Sequence, residues 1–76
     1  MSKQYYRDEK FLKKFGANLK KVRKSAGISQ EDLANELGFS QPHLAKIESG
    51  EINTSVSHAF AFAKALKVPL TALFDL

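Results

Sequence analysis

The sequence predicts an all-α protein, five helices folded as one domain, and three observations predict it. Apolar residues recur at steps of three and four, the spacing that puts them on one face of a helix. Ser, Asp and Asn stand just before several of these runs and Gly just after, as helix caps do. No stretch alternates apolar and polar residues as a half-buried strand would.

Residues 1–7 (MSKQYYR) lack helical periodicity and are expected to be a loose arm, with Tyr5 and Tyr6 packing back on the domain. From Asp8 the pattern changes. Phe11, Phe15, Leu19 and Val22, with Leu12 and Ala26 beside them, predict an amphipathic helix over 8–25, ended by Gly27. Asp8 and Glu9 sit at its positive end, and Lys20, Lys21, Arg23 and Lys24 near its negative end, as the helix dipole favours. Ser29 caps a second helix carrying Leu33, Ala34 and Leu37, which Gly38 stops. Ser40 caps a third, with Pro42 in its first turn, where a missing N–H costs nothing; its apolar members are Leu44 and Ile47, and Gly50 lies past its end.

After Gly50 comes a polar turn in which Asn53 or Ser55 can cap the next helix. Val56, Ala59, Phe62, Ala63 and Leu66 predict a fourth helix over 55–66. Lys67-Val68-Pro69 breaks it, and Leu70 to Phe74 predicts a short fifth helix with Pro69 near its start. These elements account for 8–76 as a single domain with no separate effector or catalytic domain.

Two helices as short as the second and third cannot hold each other alone, so the rest of the chain is expected to be a scaffold presenting them. Ala34 at the crossing, Gly38 in the turn, and Leu33, Leu37, Phe39, Leu44 and Ile47 facing inward satisfy what a helix-turn-helix needs, leaving the other face of the third helix free. The segment from Ser29 to Gly50 resembles the Cro and phage-repressor (lambda-repressor-like, XRE-type) helix-turn-helix family. The strings I-S-Q-E-D-L-A from Ile28 and K-I-E-S-G from Lys46 carry the resemblance, in order and at that family's separation. It implies a five-helix lambda-repressor-like domain that binds double-stranded DNA at a palindromic operator as a homodimer and regulates transcription.

Charge agrees with a polyanionic partner approached from one side. Through Lys24 there are nine Lys/Arg against two carboxylates, a net +7, whereas residues 25–76 carry three basic and six acidic groups, a net −3. A solvated amphipathic helix explains the same charges, and it is their combination with the helix-turn-helix that favours DNA. The chain has no cysteine, so neither a disulfide framework nor a thiolate metal site braces it. Without a bilayer-length apolar run or a signal-peptide pattern, a cytoplasmic protein is expected. Few carboxylates, no metal-ligand cluster and no phosphate-cradling glycine loop argue against an enzyme, a cofactor or a bound metal.

With Leu44 and Ile47 inward, the candidates for base contact are Gln41, Pro42, Ala45 and Lys46, with Ser40 at the tip. Gln41 leads, because a glutamine amide offers a donor and an acceptor together to adenine N6 and N7. Lys46 suits guanine or a phosphate, and Pro42 and Ala45 suit a thymine methyl. Gln30 opens the second helix, where free N–H groups favour a phosphate, and the resemblance implies that it also braces Gln41. His43, Ser49, Asn53 and Thr54 complete the expected phosphate contacts; for His43 an ordinary surface role, for Ser49 a helix end and for Asn53 a cap are the alternatives.

The resemblance further implies an ion pair between Arg23 and Glu48 that ties the first helix to the third. Arg23 is one of two arginines beside ten lysines, and a guanidinium holds a carboxylate bidentately where lysine cannot. Phe60 lies off the fourth helix's core stripe, so it is either half-buried beside Phe62 or part of an exposed patch with Leu70, Phe74 and Leu76. That patch is the expected dimer interface. A different class of function puts the same patch to another use, docking a partner protein as an antitoxin does.

Overall fold

The computed structural model describes residues 8–74. The expected arm, 1–7, and Leu76 of the expected interface lie outside the described residues. The chain forms α1 (Glu9–Ser25), α2 (Gln30–Leu37), α3 (Gln41–Glu48), α4 (Val56–Leu66) and a 3-10 helix, η1 (Leu70–Phe74); the described residues contain no strand.

The four α-helices begin in the same way. Asp8, Ser29, Ser40 and Ser55 each accept a hydrogen bond from the backbone N–H three residues on, at 3.0 to 3.2 Å, satisfying a donor that has no partner within its helix. Ser55, and not Asn53, is therefore the cap of α4. Gly38 ends α2 at φ +76°, a left-handed conformation that glycine adopts without a Cβ clash, and Phe39 N–H returns to Ala34 carbonyl oxygen at 2.9 Å. This reversal turns the chain into α3.

The core comprises Phe15 and Leu19 from α1, Leu33 and Ala34 from α2, Leu44 and Ile47 from α3, Ala59, Phe62, Ala63 and Leu66 from α4, and Leu73 from η1. Three expectations are corrected by it. The buried stripe of α1 is rotated towards Leu12, Gly16 and Arg23, with Phe11 and Val22 left at its edge. Gly16 explains the rotation: a Cβ there would overlap the carbonyl oxygens of Ile47 and Glu48, so α1 touches the end of α3 through bare backbone. Val56, expected in the stripe of α4, is 80% exposed, because burial on α4 begins only at Ala59. The last helix is 3-10 and not α; five residues behind Pro69 allow the tighter i to i+3 turn, with Ala72 N–H on Pro69 carbonyl oxygen at 2.9 Å.

Candidate nucleic-acid interface

One flank of α3 is held by a buried polar chain. Arg23 Nε donates to Glu48 Oε2 at 2.7 Å and Nη2 to Oε1 at 3.2 Å, while Nη1 donates to Ile28 carbonyl oxygen at 2.7 Å. Both side chains are buried, so the bidentate pair takes the place of lost water. Gln30 Nε2 donates to Glu48 Oε1 at 2.9 Å, and Gln41 Nε2 donates to Gln30 Oε1 at 2.6 Å.

This chain has a direction set by chemistry. A carboxylate only accepts, so Gln30 must turn its Nε2 towards Glu48; its Oε1 then faces Gln41, which must answer with an N–H. The second N–H and the Oε1 of Gln41 remain at the exposed start of α3. One donor and one acceptor in an amide plane are what the major-groove edge of adenine requires.

The other flank is aromatic. Phe39, in the turn, stacks on His43 with ring centroids 4.8 Å apart and planes at 3°. It also meets His58 of α4 edge-on at 4.8 Å and the buried Phe62 at 5.7 Å. The surface positions of His43 and His58 agree with the sequence reading, whereas their contacts with Phe39 were not legible, although Phe39 and His43 stand four apart across the cap of α3.

Between the flanks, α3 presents Gln41, Pro42 and Lys46 to solvent, with Ala45 half-buried among them. Ser40 contributes its oxygen to the helix cap. The Ser49 hydroxyl is shared between Lys46 carbonyl oxygen at 3.1 Å and Glu51 Oε2 at 2.9 Å, which places a carboxylate beside it. Asn53 is exposed. Thr54 is a correction: its Oγ1 is buried without a hydrogen-bond partner and it lines an apolar cavity with Phe11, Leu12, Phe15 and Phe74, so this hydroxyl cannot meet a phosphate.

The expected dimer residues are divided. Phe60 is 54% exposed, with Lys64 Nζ 5.6 Å from its ring centroid, so it is not half-buried beside Phe62. Phe74 is 37% exposed but anchored against Phe15 and Phe11 at 5.2 and 5.8 Å, and Leu70 packs partly against the core. Among the described residues no group of three or more His, Asp or Glu side chains could hold a metal ion, and no helix is long and apolar enough to cross a membrane.

A family model described as helix-turn-helix (HTH_3) matches residues 19–73. The HTH-type transcriptional regulator y4dJ of Sinorhizobium fredii is 36% identical over 53 residues, 70% of this chain and 69% of that protein. Among solved structures, the restriction-modification controller protein C.AhdI from Aeromonas hydrophila superposes with a TM-score of 0.77 at 34% identity, covering 82% of this chain and 94% of its own. The controller protein C.Esp1396I, solved as a tetramer on its natural 35 base-pair operator, gives 0.77 at 26% identity, with 90% of both chains covered. The chain belongs to the HTH_3 helix-turn-helix family of DNA-binding transcriptional regulators.

Proposed function

We propose that residues 8–76 act as one domain that binds a palindromic operator as a homodimer, reading sequence with α3. The observation that carries this reading is the tether of Gln41 through Gln30 to the buried Arg23–Glu48 pair. A loose glutamine pays rotamer entropy on binding, whereas one held by its own donor is already aimed. Gln41 is assigned to adenine, Lys46 to guanine or a neighbouring phosphate, and Pro42, Ala45 and Ser40 to the edges of the same base pairs. Phosphate contact is assigned to the start of α2 at Gln30, to His43, and to Asn53 after α3; Ser49 remains in this set only through rotation of its hydroxyl away from Glu51.

The exposed Phe60 and Phe74 support self-association, and Leu70 and Leu76 belong to the same proposed interface. Two copies would place their α3 helices in successive major-groove turns roughly 34 Å apart. C.Esp1396I, a relative of the same fold, occupies its operator as an oligomer. A protein acting in this way works where the DNA is, in the cytoplasm.

Selection of sites from a random duplex library by the intact chain and by Gln41→Ala tests the proposal. An enriched palindrome with half-sites about one helical turn apart, relaxed at one base position by the substitution, is the expected result. Failure to enrich any sequence would overturn it and direct attention to a protein docked on the Phe60 patch.

A further inference from the structure

His43 lines a concavity of about 330 Å³ together with Ser40, Pro42, Lys46 and Ile52, between α3 and the loop that follows it. We propose that this concavity is a phosphate subsite that His43 serves in its protonated form, so that DNA binding takes up a proton. The inference rests on the DNA-binding reading above.

Three features carry it. First, the imidazole is exposed yet fixed. One face lies flat on Phe39, and Phe39 is itself pinned by His58 and the buried Phe62. Stacking covers a ring face and leaves the perimeter, where both nitrogens sit, open to a ligand. Second, the charged form has a reason to exist there and a reason not to. An imidazolium over an aromatic face is attracted by the ring's electron cloud, whereas Lys46 in the same concavity and His58 across Phe39 oppose added positive charge.

Third, no carboxylate lines the concavity. Glu31, Asp32 and Glu36 of α2 lie outside it; α3 contributes only Lys46 beside His43, since Glu48 is buried on the other flank; Glu51, in the loop next to Ile52, lies outside the lining and accepts from the Ser49 hydroxyl at 2.9 Å; and α4 contributes His58, with Lys64 turned to Phe60. A phosphate entering the concavity supplies the missing charge. Neutral imidazole offers it one N–H, whereas imidazolium offers two N–H donors and a full charge. Of the side chains here, only histidine changes charge within the ordinary cellular range.

The test measures binding of the intact chain to a labelled random-sequence DNA duplex, with salt titrations at about pH 5.5 and about pH 8, the span over which histidine titrates. Because phosphate contacts do not depend on sequence, no operator is needed. The wild type should bind about three- to tenfold more tightly at the lower pH, the gain from one added charge-assisted contact. Its slope of log affinity against log salt should also steepen by about 0.9, one further phosphate neutralised. His43→Gln should lose both effects. Glutamine fits the third position of a capped helix, and Ser40 caps the backbone N–H at that position, so the fold is retained. His58→Gln should keep both, because it takes away only a group that opposes the imidazolium and leaves the concavity's lining and the Phe39–Phe62 contact in place. Binding that is indifferent to pH, or a pH effect that survives in His43→Gln, overturns the subsite alone; no binding at either pH overturns it together with the DNA-binding reading.

Discussion

The two flanks of α3 are held by opposite kinds of force. On the α2 side, Arg23, Glu48, Gln30 and Gln41 form directional hydrogen bonds of 2.6 to 3.2 Å that start from a buried guanidinium. On the α4 side, Phe39 joins His43, His58 and Phe62 through ring contacts that depend on area and tolerate sliding. A hydrogen-bonded chain fixes which atom faces outward, as reading a base edge requires. A stacked ring fixes a position without fixing which atom faces outward. The helix thus has one flank with set polarity and one flank held by ring area.

The comparison breaks most severely at Arg23. Its removal leaves Glu48 as a buried, uncompensated charge, so Arg23→Ala should lose about 3–5 kcal/mol, a large part of the stability of a domain this size. Urea denaturation checks this, and a melt matching the wild type would show that the pair is not structural. Arg23→Lys should recover only part of the loss, since an ammonium group cannot engage both carboxylate oxygens in the guanidinium's planar geometry.

Next in size is Gly16, where α1 meets the end of α3. Gly16→Ala puts a Cβ against two carbonyl oxygens and should cost about 1–3 kcal/mol by overpacking, although alanine is otherwise the better helix former by about 1 kcal/mol. A stabilised variant would mean that α1 and α3 do not touch through backbone. The smallest effect lies far from both flanks. Lys67 ends α4 at φ +59°, and Lys67→Gly should be neutral or stabilising by up to about 1 kcal/mol in the same denaturation assay. A clear loss would mean that the Lys67 side chain contributes to that end of the helix.

Much of this was legible in the sequence because it is local. Caps act over three residues, so Ser29, Ser40 and Gly38 announce α2, α3 and the turn between them. Arg23 and Glu48 are 25 residues apart, and their partnership came from family likeness, not from any local pattern. The aromatic flank was hidden because it joins a turn to two helices, and no periodicity encodes a ring shared by residues 39, 43, 58 and 62. Gly16 did leave a signal, since a glycine inside a strong helix costs stability and implies a close approach. Thr54 was misplaced on proximity alone: it follows α3 in sequence, but its hydroxyl turns into the apolar cavity beside Phe74.

The most direct test of the central claim, that the buried chain aims Gln41 at a base, is site selection with Gln30→Ala compared with Gln41→Ala. The account predicts that both variants relax the same base position, with Gln30→Ala the milder, because Gln30 acts by holding the Gln41 amide. Were Gln30→Ala to weaken binding uniformly while every base preference stayed intact, Gln30 would be a phosphate contact only and the aiming of Gln41 would need another cause.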